Sequence, residues 1–274
     1  MNNSFRLCTL LLLVAAAAPA TASPWAVEVV SSSGLNAGLD DPSQALGMPA
    51  LSLFDSWGNE TVDISMVYGA WTSDTIVELL PTGHLTVRFD SPVVNDPAHP
   101  YGADFIIFGN GAFLGKSGWV DASTDMAAYR IATNGSIFCD SQMTVSVSQD
   151  GVTWHTFPGL FTGAWPTQAY SRWDAASNAW DHSSVSDFTM PMNPALTQVG
   201  FGGKTVVEAL SLYAGSGGGM AYDIGALGLD SISYVRVEGE GAIDAFAKVS
   251  AVPEPASLAL LLAGIAAAAW RRRR

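Results

Sequence analysis

Apolar and polar positions alternate with a period of two in several short runs along the middle of the chain. In His84–Asp90, Leu85, Val87 and Phe89 fall on one face and His84, Thr86, Arg88 and Asp90 on the other, the pattern of a half-buried strand. Thr75–Leu80 precedes it, and Pro81-Thr82-Gly83 lies between, so a hairpin is predicted with its turn at 81–83. Met143–Ser148 and Val152–Phe157 alternate on either side of Gln149-Asp150-Gly151, a second and stronger hairpin signal, because glycine accepts positive φ at little cost. Asp104–Phe108 is apolar almost throughout and short, as expected of a central strand buried on both faces. Gln198–Gly202 predicts a short strand, and Ile232–Val237 and Ala242–Val249 predict the last two. Residues 158–197 are irregular, and Gly215-Ser-Gly-Gly-Gly219 interrupts 209–222 as a loop. No amphipathic helix longer than about two turns stands out, and no internal repeat is found. These patterns predict an all-β fold, an antiparallel β-sandwich of the jelly-roll type.

Two apolar runs do not fit that body. Leu7–Ala18 follows a short basic start ending in Arg6, and Ala18-Pro-Ala20 and Ala20-Thr-Ala22 are small-residue cleavage sequences. This is the order of a secretory signal peptide over 1–22, cut after Ala20 or, preferably, Ala22. Ser257–Trp270 is 14 residues without a charge. As a helix it spans ~21 Å, shorter than the ~30 Å hydrocarbon core. Trp270 and Arg271, Arg272, Arg273 and Arg274 nevertheless place an interfacial aromatic and a basic stop at its end, as in a transmembrane helix. Pro253 and Pro255 keep any helix from running back into the body. The division is then 1–22 signal peptide, 23–250 sandwich, and 251–274 tail.

The tail, Pro253-Glu254-Pro255 followed by an apolar helix and an arginine cluster, resembles the PEP-CTERM sorting signal of Gram-negative-type bacteria. The resemblance implies export by signal peptidase, brief anchoring in the inner membrane, and recognition of the Pro-Glu-Pro motif by an exosortase. The body is then expected on the cell surface or outside the cell.

Charge narrows the partners. Of 12 Lys and Arg, five lie in the head and tail (Arg6 and Arg271–Arg274), which leaves 7 against 25 Asp and Glu over residues 23–255, a balance of −18. Such a surface repels phosphate backbones and excludes nucleic acid as a partner. Once the head is removed Cys139 is the only cysteine, so no intrachain disulfide is expected.

A second resemblance spans roughly residues 40–255. Ala45-Leu-Gly-Met-Pro49, Gly83–Asp90 with Pro92-Val-Val94, Asp104–Gly111, Val145–Trp154, Tyr222–Leu229 and Tyr234–Val237 with Ile243–Phe246 follow the order of a family of exported proteins that often carry this tail. The Ser148-Gln-Asp-Gly-Val-Thr-Trp154 hairpin is also similar to discoidin-type, galactose-binding-like jelly rolls. The chain departs from the pattern at Gly109 and near Met220, where acidic residues are usual. The Trp-rich segment 165–188 is particular to this chain.

Little here points to catalysis. His84, His99, His155 and His182 form no zinc spacing. Asp181-His182-Ser183-Ser184 is too local for a triad, and there is no G-x-S-x-G elbow. Gly215–Gly219 lacks the Lys-Ser/Thr of a phosphate loop. The jelly-roll resemblance implies one structural calcium where an N-terminal loop meets the last strand. Asp40, Asp41 and Ala45 would supply carboxylate and carbonyl oxygens, and Glu238 or Asp244 would close the site; Asp40 and Asp41 are equally suited to capping a turn. Trp57, Trp71, Trp165, Trp173 and Trp180 lie in predicted loops among polar residues, the setting in which aromatic faces stack on sugar rings. Of these, Trp165, Trp173 and Trp180 are the predicted glycan contacts. The expected role is non-enzymatic, a surface or matrix component that binds exopolysaccharide; a secreted glycan hydrolase and a protein-binding adhesion module are the alternatives.

Overall fold

The computed structural model describes residues 22–54, 60–116, 118, 120–139 and 141–251. The cleavage position Ala20, Trp57, the Pro253-Glu254-Pro255 motif, the apolar tail and Arg271–Arg274 lie outside these residues. Among the described residues no helix is long and apolar enough to cross a membrane.

In chain order the strands are β1 (Ala26–Leu35), β2 (Ser52–Phe54), β3 (Glu60–Asp63), β4 (Val77–Val94), β5 (Phe105–Gly109), β6 (Ala112–Phe113), β7 (Ile137–Phe138), β8 (Gln142–Ser148), β9 (His155–Thr156), β10 (Trp173–Asp174), β11 (Ala179–Trp180), β12 (Met220–Tyr222) and β13 (Ser231–Lys248). The one α-helix among the described residues, α1, is Val206–Tyr213. Seven strands form one antiparallel sheet in the order β1-β4-β13-β5-β12, with β8 on β13 and β9 on β8. The all-β, antiparallel class follows directly.

The sheet is organised by its two 18-residue strands. β13 keeps β4 on one edge from Ser231 to Ile243. On the other it pairs with β8 over Tyr234–Glu240 and with β5 over Ile243–Lys248. The change of partner follows Gly239 and Gly241, at φ 125° and 146°, and the β13–β4 register shifts between Glu238 and Gly241. At the same level β4 is irregular between Leu79 and His84, and β1 between Ser33 and Leu35. A Cβ on Gly83 would lie 2.5 Å from the Gly34 carbonyl oxygen, so only glycine lets these two backbones approach this closely. Three neighbouring strands therefore bend together. The two wings enclose one apolar core that includes Leu79, Val87, Phe105, Val147, Val237 and Phe246.

The predicted hairpin at 81–83 does not form. Pro81-Thr82-Gly83 is a bulge inside β4, a place where a residue without an N–H is tolerated. The two strands predicted at 232–237 and 242–249 are one strand, bent at Gly239-Glu240-Gly241. The second hairpin does form: β8 returns as β9, with Ser146 opposite Thr156 and Val147 opposite His155. Asp150 holds its turn by accepting from the amides of Val152 and Thr153 and from the Ser148 hydroxyl; those donors pull its carboxyl down to about 2. All five residues of β5 are buried, and it lies between β13 and β12. Gln198–Phe201, predicted as a strand, is a 3₁₀ turn.

A second apolar cluster is assembled from the long connections. It includes Leu53, Ile64, Met66, Phe113, Met126, Tyr170, Trp180 and Phe201, with Val206, Ala209 and Tyr213 of α1. The Thr205 hydroxyl accepts from the Glu208 amide and the Glu208 carboxylate accepts from the Thr205 amide, a reciprocal cap that starts the helix.

Candidate functional site

The 165–188 segment builds a small antiparallel hairpin. In β10–β11 Trp173 stands opposite Trp180 and Asp174 opposite Ala179. The Asp174 carboxylate accepts from the Ala176 amide and the Ser177 hydroxyl and fixes the connecting loop. Asn178 closes it in the left-handed region at φ 52°, which asparagine tolerates better than most residues. Opposed residues of an antiparallel pair share a face, so the two indoles meet, with ring centroids 5.2 Å apart at 83°. Trp180 is 6% exposed and belongs to the second core. Trp173 is half-buried, and its Nε1–H is buried without a hydrogen-bond partner.

Beside this pair lies a cleft of about 390 Å³. Trp173 and Trp180 line it together with Val62 and Asp63 of β3, Asp121, Thr124 and Met126 of the connection between β6 and β7, and Asn178 and His182. Its volume and its mixture of apolar surface with a few polar groups are those of small-ligand sites. His182 Nε2 is 3.1 Å from Asp63 Oδ1, and the imidazole stacks on Tyr170 with centroids 4.6 Å apart. Asp63 also accepts from Ser52 Oγ at 3.2 Å. The Asp121 carboxylate accepts from the Ser123 hydroxyl and amide and from the Thr124 hydroxyl, and these bonds hold its pKa below the ordinary carboxylate value. Asp121 is therefore an anion at neutral pH.

Asp181 does not orient His182. Its oxygens accept from the Ser183 amide and hydroxyl and from the Ser184 hydroxyl, which lowers its pKa and fixes the turn. With both serine hydroxyls directed at Asp181, this cluster does not have the order of a Ser-His-Asp triad.

The predicted glycan contacts divide. Trp173 and Trp180 come together in the cleft; Trp165 packs on Phe201, with centroids 5.8 Å apart, in the second core. Trp71 is 57% exposed and lines a larger, more apolar hollow of about 740 Å³ with Tyr68, Tyr129 and Phe138. Asp63, Asp121, Asn178 and His182 were not among the predicted contacts. Nothing in the sequence near the tryptophans points to Asp63 or Asp121, which reach the cleft only through the fold.

The predicted calcium ligands do not converge. Asp41 caps the 3₁₀ turn Pro42–Ala45, accepting from the Ser43 amide and hydroxyl and the Gln44 amide group. Asp40 is exposed, and Ala45 is fully buried in the main core. Glu238 is exposed and stands opposite His84 and Thr144. Asp244 is buried at an irregularity of β13; its Oδ1 accepts from the Ala50 amide at 3.1 Å and its Oδ2 is buried without a partner. Burial pushes its carboxyl up to about 8. Among the described residues no three of His, Cys, Asp or Glu are grouped to hold a metal. The 45–50 loop does meet the last strand, through Ala50 and Asp244, but as a hydrogen bond rather than a cage.

The fold and site thus define an all-β protein with a loop-built aromatic cleft on an antiparallel scaffold. Residues 251–274 match the PEP-CTERM protein-sorting motif, which marks the chain for export with exosortase processing. The match covers the tail alone. No curated protein matches the sequence. Among solved structures, a pectin binding carbohydrate binding module determined in a monoclinic crystal form aligns over 86% of this chain and 96% of that one, at 10% identity and a TM-score of 0.32. A score this low transfers neither fold nor ligand.

Proposed function

We propose that this is an exported, non-enzymatic protein of the cell surface or extracellular matrix whose body binds glycan in the cleft beside Trp173 and Trp180. After signal peptidase removes the head, the tail anchors the chain in the inner membrane until an exosortase acts at Pro253-Glu254-Pro255. Exopolysaccharide is the partner this placement provides. The observation that carries the binding reading is the aromatic pair opening on Asp63, Asp121, Asn178 and His182 in one cleft. Indole faces bury the apolar faces of a sugar ring, and polar neighbours take its hydroxyls.

Binding is favoured over hydrolysis by the state of the carboxylates. Glycoside hydrolysis needs one carboxyl held protonated as the general acid. Asp121 is shifted the other way by its hydroxyl and amide donors, and Asp63 is occupied by His182 and Ser52.

The test is a glycan panel on the full-length chain and on Trp173→Ala, with fold checked by circular dichroism. Loss of an aromatic contact of this kind should weaken binding about tenfold or more. Unchanged affinity in the variant would place the ligand elsewhere, and shortened oligosaccharide products would reassign the protein as a hydrolase.

A further inference from the structure

The two ends of the body meet on one carboxylate. The Ser23 amide donates to Asp90 Oδ2 at 2.7 Å, and Lys248 Nζ donates to Asp90 Oδ1 at 3.1 Å and to Ser91 Oγ at 2.6 Å. The chain is fixed from this point onward. The Pro24 carbonyl accepts from the Lys248 amide at 2.7 Å, Trp25 bridges to Ala247, and Ala26 is buried opposite Phe89 of β4. Ser23 Oγ accepts from the Trp25 amide at 3.1 Å, which holds the Ser23 nitrogen toward Asp90. Ala22, on the other side of the expected cut, is exposed. We infer that Asp90 is the receptor for the mature N-terminus: cleavage after Ala22 sets the new α-ammonium of Ser23 onto its carboxylate. This rests on the reading that the head is a signal peptide removed on export. Hydrolysis breaks the C–N bond between Ala22 and Ser23. The carbonyl carbon takes the hydroxyl of a water and the nitrogen takes its other hydrogen. The amine, with an ordinary pKa of about 7.7–8.0, then takes one more proton at neutral pH. A neutral N–H donor thereby becomes a charge-assisted one at a position already within bonding distance. The Asp90 carboxylate is ready for it, since the Ser23 amide, ahead of Lys248, already holds its pKa below the ordinary value. A cut after Ala20 would leave the Ser23 nitrogen an amide and carry the charge two residues away. With the cut after Ala22, Asp90 lies between two cations, one from each end of the body, close to where the sorting motif begins at residue 251.

The experiment expresses the full-length chain in an exporting bacterial host, reads the N-terminus of the exported protein by mass spectrometry, and titrates its α-amine by NMR through isotope-labelled methyl groups placed on the amines. A peptide of residues 23–27, methylated in the same way, is the reference, and Asp90→Asn is the variant; asparagine keeps an oxygen for a donor and removes the charge. The groups that face the amine are Asp90 of β4 and Lys248 of β13; Arg88, two residues along β4, is paired with Glu28 of β1. Asp90 favours the ammonium and raises its pKa, and Lys248 opposes part of the rise. The expected results are an N-terminus at Ser23 and an α-ammonium that titrates about half a pH unit above the peptide, the effect of a partly exposed ion pair, with the difference lost in Asp90→Asn. An α-amine that titrates with the peptide, or a rise that survives in Asp90→Asn, overturns the pairing and leaves the signal-peptide reading standing. An N-terminus at Thr21 or at any residue other than Ser23 does the same. If the exported chain keeps its head, the pairing and the signal-peptide reading fall together. Should Asp90→Asn fail to fold, the comparison of the parent protein with the peptide still decides.

Discussion

Replacing Asp244 with asparagine should make the protein more stable in neutral and alkaline solution. The side chain is 2% exposed, its Oδ1 is satisfied by the Ala50 amide, and its Oδ2 has no partner. Ionising it there would leave a charge with one hydrogen bond in an apolar setting, which is why the folded-state pKa rises to about 8 from 3.8. The sign follows from proton counts. Between those two values the folded chain keeps a proton that the unfolded chain has released, so this group's contribution is complete below 3.8 and declines as pH rises, until about pH 8. At about 1.4 kcal/mol per pH unit the full decline is about 6 kcal/mol, an upper figure because local relaxation and water entry reduce it. Asparagine has no proton to retain. It keeps an oxygen for the Ala50 amide, and its NH2 replaces the O–H of the neutral acid, which is equally unpartnered. Urea unfolding of both proteins at acidic, neutral and alkaline pH reads the difference directly, because every other titrating group is common to the two. The expected result is near-equal stability in acid and an advantage of several kcal/mol for Asp244→Asn above pH 8. A difference that is constant with pH, or a variant that loses stability in alkali, would refute the claim that a buried, neutral carboxyl sits at this position.

Other outcomes can be checked alongside. Gly83→Ala should destabilise the body by about 1–3 kcal/mol, because the added Cβ would lie 2.5 Å from the Gly34 carbonyl oxygen and 2.9 Å from that of Leu80; a shift in urea midpoint measures it. Thr205→Ala removes one half of the cap on α1 and should cost about 1 kcal/mol in the same assay. Melting with chelator and with added calcium should give coincident transitions, since Asp41 is committed to its turn and Asp244 to Ala50. A higher Tm in calcium would reveal an ion bound to the folded state alone.

The parts of the fold that were legible in sequence are those in which local pattern and tertiary setting agree. β5 reads as a buried central strand because it is flanked on both edges and covered on both faces. The β8–β9 hairpin is legible because Asp150 makes its turn with its own neighbours. Pro81-Thr82-Gly83 misleads because proline and glycine punctuate a turn and a bulge alike; here the choice was made by β1 and β13, which bend at the same level. Gly239-Glu240-Gly241 split one strand into two for the same reason. The short helix α1 carried its signal in Thr205 and Glu208, three residues apart, but the β-branched Val206 and Val207 and the glycines after it obscure an eight-residue helix. At the site, Trp173 and Trp180 were visible as loop aromatics among polar residues. Their pairing was not, because strands of two residues have no periodicity to read. Asp63 ends β3 and Asp121 lies in the β6–β7 connection, both distant in sequence from the tryptophans, and only the packing of the second core places them by the indoles.

The position of β13 has a mechanical consequence. The strand ends at Lys248, and the sorting motif begins at residue 251. Tension on the tail, whether from a membrane or from a processing enzyme, therefore enters the body along β13. That strand pairs with β4 on one edge from Ser231 to Ile243, and on the other with β8 and then, from Ile243 to Lys248, with β5. A pull along its axis loads these ladders in shear, many hydrogen bonds at once, whereas a strand hung at a sheet edge and pulled sideways would unzip one bond after another. The handle is attached to the strand that pairs with β4, β8 and β5 in turn, so a tug on the tail should be borne without unravelling the cargo.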